Sequence, residues 1–126
     1  MMIALALLAQ TAAPTPPQPS PPQDWTALPA YPLVRAGITP EATSYVRGEV
    51  QSDRCRIATP ATDGAQVIAP VAILVGPAGG VRQVVPAAIG CPTVEQYTVG
   101  YVIALTRGGS TASRPGWYRL SVAYRW

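Results

Sequence analysis

The chain has 126 residues, nine arginines against six carboxylates, no lysine and no histidine, and a formal net charge of +3. That length holds one domain with a modest core. The composition excludes Ser-His-Asp and Cys-His catalysis, imidazole metal sites, Schiff-base and P-loop lysines, and, with two cysteines, a four-thiolate zinc site.

Residues 3–13 (IALALLAQTAA) form an uncharged apolar run of eleven residues. A bilayer-spanning helix needs roughly 20, so the run reads as the apolar region of an export signal, with Ala9, Ala12 and Ala13 as cleavage points. Residues 1–13 are therefore expected to be a signal peptide removed on export to the periplasm. The paired initial methionines leave open a start further upstream, and a buried N-terminal helix is the other alternative. The prolines that follow argue against that helix.

Residues 14–22 (PTPPQPSPP) place six prolines in nine positions. Such a segment is extended polyproline II, reaching roughly 30 Å and unable to bury a core. Residues 14–24 are expected to be a disordered proline-rich spacer or stub, with a PxxP-type ligand as the alternative. The folded domain is expected over residues 25–126.

Leu28 to Ile38 reads as irregular chain lying on the core. Thr39-Pro40-Glu41 then announces a helix over 40–53: a cap, a proline suited to the first helical position, and a carboxylate at the positive end of the dipole. Ala42, Tyr45, Val46 and Val50 recur at helical spacing, with Glu49 interrupting their stripe. Residues 66–75 (QVIAPVAILV) are apolar on both faces and β-branched, the pattern of a strand covered on both sides or partly so. Pro70 removes a ladder donor and predicts an edge or a bulge there. A Gly-Pro-Ala-Gly-Gly turn at 76–80 leads into a return strand over 81–87.

Pro92 and Arg107-Gly108-Gly109 bracket the second helix. Val94, Thr98, Tyr101, Val102 and Leu105 form its core-facing stripe, with Val99 and Ile103 on the opposite side. The last strand, 117–126, alternates. Tyr118, Leu120, Val122, Tyr124 and Trp126 point to the core; Arg119, Ser121, Ala123 and Arg125 point to water. The order helix-strand-strand-helix-strand predicts an α+β domain: an antiparallel sheet of about three strands with two helices packed on one face.

Residues 66–126 resemble the C-terminal domain of the TonB family of periplasmic energy transducers. The matching features are Gly79-Gly80-Val81 at the hairpin turn, Gly90-Cys91-Pro92-Thr93-Val94-Glu95 entering the helix, Gly116-Trp117 opening the last strand and Tyr124-Arg125-Trp126 ending it. Tyr31-Pro32 and Arg35-Ala36-Gly37-Ile38 are similar to the start of such domains. The chain departs from the family in its capped helix at 40–53 and in lacking a Trp-x-Phe-x-Pro segment after the second helix. The resemblance implies a non-catalytic, peptide-binding role on a TonB-like fold. The short anchor and roughly 30 Å spacer argue against energy coupling across a periplasm.

Two cysteines in an exported chain predict a Cys55–Cys91 disulfide, with a reactive Cys91 thiol at a helix N-terminus as the alternative. Arg119, Arg125 and Arg82 are expected on the open sheet face, which reads as a solvated surface or a site for an acidic partner. With Val99 and Ile103 they are the candidate partner-binding residues. Glu41, Glu49, Asp53, Asp63 and Glu95 show no catalytic pairing, and a net charge of +3 does not suggest nucleic acid. The expected partner is a periplasmic or outer-membrane protein or peptide, bound by a sheet edge without cofactor or metal. The alternative is a small periplasmic enzyme using carboxylates without histidine, which requires a cleft lined by acids.

Overall fold

The apolar run at 66–75 is β1 (Gln66–Val75), and it takes the middle of a three-stranded antiparallel sheet. The computed structural model describes residues 19–33, 38–52, 54–55, 57, 66–107, 112 and 114–126. The expected signal at 1–13, the first part of the spacer, Arg35-Ala36-Gly37, Asp53 and Asp63 lie outside the described residues. Along one side of β1 runs β3 (Gly116–Arg125), in unbroken register from Gln66 opposite Arg125 to Val75 opposite Gly116. Along the other, β2 (Val81–Pro86) pairs only with the second half of β1, from Val71 onward. The hairpin between β1 and β2 closes through the Gly79 N–H on the Gly76 carbonyl at 3.0 Å; Gly79 has φ +85°, a conformation glycine adopts without strain. A register shift at Leu74/Val75 accommodates the turn.

Pro70 lies inside the central strand, neither on an outer strand nor at that bulge. The ladder explains why this is tolerated. The Pro70 carbonyl accepts from Ala87 N–H at 3.0 Å, so its backbone polar groups face the β2 side, where regular pairing ends at Pro86. The missing donor therefore costs no bond to β3.

Side chains alternate across the sheet. Val67, Ala69, Val71, Ile73 and Val75 point to the helix layer with Tyr118, Val122 and Tyr124, all buried. The far face is less wet than the alternation of the last strand predicts. Ala72 is fully buried there, flanked across the ladder by Val85 and Arg119, and Pro70 and Leu74 are half-buried; Gln66 and Ile68 are the exposed residues of β1.

Two helices cover the helix-side face, giving the expected α+β architecture. In α1 (Pro40–Gln51) the Thr39 side chain accepts the Ala42 N–H at 3.2 Å, and Ala42 and Val46 enter the core. In α2 (Pro92–Leu105) Val94, Thr98 and Val102 are buried, while Tyr101 and Leu105 of the predicted stripe are only half-buried. Leu120 and Trp126 are likewise half-buried. β3 is an outer strand, so part of its inward face lies at the rim of the helix layer.

The helices are joined at one end. Cys55 and Cys91 form the disulfide, closing a loop of sequence separation 36. Cys91 is fully buried at the N-cap of α2 and is no free thiol. Glu49, which interrupts the α1 stripe, is buried because Thr93 Oγ1 donates to it at 2.9 Å and Arg54 pairs with it at 3.4 Å. Glu95 accepts from Ile89 N–H and Cys91 N–H at 3.2 and 3.1 Å. Its carboxylate thus holds the chain entering α2, beyond complementing the dipole.

Removing both cysteines with alanine should lower stability by roughly 4 kcal/mol, the chain-entropy value for this loop, read by urea denaturation against wild type. Intact wild-type mass should be that of the fully oxidised chain.

A second prediction concerns Tyr124, which is fully buried with its hydroxyl 2.9 Å from Thr98 Oγ1. Thr98 donates to the Val94 carbonyl at 2.8 Å, so Tyr124 donates to Thr98. Tyr124→Phe should cost about 1 kcal/mol, whereas Thr98→Val, which leaves the phenol without an acceptor, should cost about 1–3 kcal/mol. Burial raises the Tyr124 pKa above the ordinary tyrosine value. The stability held by the neutral phenol is therefore complete below about pH 10 and is lost as pH rises further. Denaturation midpoints measured across that alkaline range should fall, and fall less in Tyr124→Phe.

Candidate functional site

The outer edge of β3 is already used once by the chain itself. Arg119 N–H donates to the Pro29 carbonyl at 2.9 Å, and Tyr31 N–H donates to the Arg119 carbonyl at 2.8 Å, a parallel bridge centred on Ala30. Tyr31 is buried edge-on against Tyr118, ring centroids 5.9 Å apart, which anchors this strap. Leading into it, the described chain places Pro19 beside the hairpin end and forms one 3-10 turn, Trp25–Ala27, capped by Asp24.

Because backbone groups in a strand alternate in direction, Ser121, Ala123 and Arg125 face outward as Arg119 does. Among the described residues no backbone hydrogen bond reaches them from that side. Beside this edge, towards the helices, lies a groove of about 350 Å³ walled by Leu33, Ile38, Tyr101 and Leu105 together with Leu120 and Val122 of β3, with Ser121, Ala123 and Arg125 on its rim. The Tyr101 hydroxyl accepts the Thr39 N–H at 3.3 Å, tying the groove wall to the start of α1.

Arg119 and Arg125 are exposed on the opposite, far side of the same edge. Arg119 Nε donates to the Leu28 carbonyl at 2.9 Å and Arg125 Nε to Gln66 Oε1 at 3.0 Å. Each guanidinium keeps its remaining donors, and among the described residues neither has a carboxylate within ion-pair distance, the ion pair found there being Arg54–Glu49.

Arg82 does not join them. It lies on β2, at the other side of the sheet, folded over Gly76: a Cβ there would sit 2.7 Å from Arg82 Nε. With Ile103, Arg107, Val81 and Val84 it lines a separate groove of about 330 Å³ between β2 and α2. Val99 is half-buried on α2 and lines neither groove. The candidate residues thus divide between two edges. The β2 edge is short and blunted, because Pro86 turns its missing N–H outward.

A third pocket, about 640 Å³, opens at the hairpin end among Leu74, Pro77, Pro115 and Pro19, with Arg82 and Gln83 on its wall. Among the described residues, no carboxylate lines any of the three pockets. Among the described residues no group of three His, Cys, Asp or Glu side chains is placed to hold a metal ion, and no helix is long and apolar enough to cross a membrane.

Sequence reasoning missed the strap and the groove wall. Their signal was present in Pro29 and Pro32, which bracket Ala30-Tyr31: such a segment cannot sit inside a sheet but can lie along an edge. Tyr101 and Leu105 looked like core because their spacing is that of core. Neither a protein-family model, nor a curated protein, nor a solved structure matches this chain.

Proposed function

We propose that this protein is a non-catalytic interaction module of the bacterial periplasm that binds an extended segment of another protein by adding it as a strand to β3. The observation that carries this reading is the edge itself. It accepts a strand in cis at Arg119, and among the described residues no backbone hydrogen bond reaches its next three outward residues, Ser121, Ala123 and Arg125, beside a largely apolar groove. Main-chain hydrogen bonds supply affinity in such complexes, and pockets for alternate side chains supply specificity. The resemblance to TonB C-terminal domains supports the same reading. A Cys55–Cys91 disulfide is compatible with an oxidising, exported compartment, and the apolar leader supports the periplasm in particular. The partner is a periplasmic or outer-membrane protein with an extended segment; no cofactor enters.

The test is site-specific photo-cross-linking in the native periplasm. A photoreactive residue at Ser121 should give partner adducts, and one at Arg82, on the other edge, should not. Ala123→Pro removes the outward N–H and should reduce the Ser121 adducts about tenfold, the size expected for losing one or two main-chain bonds. Its circular dichroism and protected thiols should match wild type. Adducts at Arg82 alone, or adducts at Ser121 indifferent to Ala123→Pro, would overturn the reading.

A further inference from the structure

We infer that the segment bound at β3 carries a two-residue pattern, apolar and acidic side chains in alternation, over about five positions. This inference rests on the strand-addition reading and adds the chemistry of the occupant. Two independent features of the edge set the pattern.

The first is the asymmetry of the two sides. Residues of an added strand that lie opposite Leu120, Val122 and Tyr124 direct their side chains to the helix side, since paired residues share a face. There they meet the groove walled by the apolar and aromatic residues Leu33, Ile38, Tyr101, Leu105, Leu120 and Val122, with Ser121, Ala123 and Arg125 along its rim at the strand edge. Residues opposite Ser121, Ala123 and Arg125 direct theirs to the far side, where Arg119 and Arg125 stand exposed with no carboxylate partner among the described residues. An apolar side chain gains by leaving water on the first side; a carboxylate gains an ion-paired fork on the second. A lysine on the far side would meet two cations.

The second feature limits the length. Residues 29–31 close the edge at Arg119, and Tyr31 is held in the core against Tyr118. An occupant therefore starts beside Ser121 and ends with the strand at Arg125. A slip of one residue would exchange the two sets of side chains, driving carboxylates into the groove. Pattern, more than composition, is what this edge distinguishes.

The experiment uses the oxidised protein and four capped peptides of about seven residues, long enough at ~3.3 Å per residue to span the edge. One alternates valine and glutamate, and one alternates valine and lysine. A third holds the valine and glutamate in two blocks, and the fourth is the first peptide with N-methylated backbone on one edge. Binding is followed by amide shifts of the labelled protein at Ser121, Ala123 and Arg125. The alternating glutamate peptide should bind about tenfold tighter than the lysine and block peptides, and the difference from lysine should shrink with salt. N-methylation on the hydrogen-bonding side should abolish binding, and this arm depends on no variant that might misfold. Arg119→Glu with Arg125→Glu should invert the preference between glutamate and lysine while leaving the block peptide weak. Equal binding of the first three peptides, all lost on N-methylation, would overturn the pattern and leave strand addition standing. No shift at the edge at about millimolar peptide, or shifts that survive N-methylation, would overturn strand addition itself.

Discussion

The ten-residue register between β1 and β3 is the constraint on which everything else depends. β1 is apolar on both faces, so burial alone does not tell it which way to turn. β3 does. Its alternation of Tyr118, Val122 and Tyr124 with Arg119, Ser121 and Arg125 admits one choice of inner face, and pairing transmits that choice to β1. A slip of one residue would bury guanidinium groups beneath α1 and α2, a cost far beyond any local gain. The same register sends Arg119 and Arg125 to the far side of the outer edge and leaves the groove on the near side. Core and candidate site are therefore consequences of a single pairing.

The helices depend on a second, smaller arrangement. α1 is short and carries a glycine, so by propensity alone it would be marginal. Its C-terminal end is held to the N-terminal end of α2 by the disulfide and by Thr93 donating to Glu49. Tyr45 stacks on Tyr97 at 4.4 Å further along, and Thr39 N–H meets the Tyr101 hydroxyl at the other end. These contacts run the length of α1. They explain how a polar, half-exposed helix keeps a fixed place, and so how Ile38 is delivered to the groove just before it.

The architecture was legible in the sequence because each element carries its own local signal: Thr39-Pro40 at one helix, Pro92 at the other, glycines at the hairpin, strict alternation in β3. The disulfide followed from counting cysteines in a chain that reads as exported. What was not legible is what depends on long-range position. Glu49 looked like a fault in a stripe, since nothing local shows that Thr93 will meet it. Pro70 looked like an edge marker, since its neighbour on one side ends one residue before it would matter. Arg82 is expected with Arg119 and Arg125 on the open face of a sheet formed by the hairpin and the last strand, and the strand order β2-β1-β3 sets it at the opposite edge of that sheet. Half-buried rim residues such as Leu105 and Leu120 share the periodicity of the core, and only the finished packing separates them.

An open edge is a hazard for a small sheet, and proteins blunt edges they do not use. This chain does so selectively. β2 is short, ends in Pro86 and has α2 packed beside it. Among the described residues, Pro29, Ala30 and Tyr31 close β3 against Arg119. Beyond that point no backbone hydrogen bond from the described residues reaches Ser121, Ala123 or Arg125, and beside them lies a groove walled mainly by apolar side chains. A sheet guarding only against aggregation gains nothing from leaving its longest edge open over such a groove. The asymmetry between the two edges is what supports the proposed addition of a strand at β3.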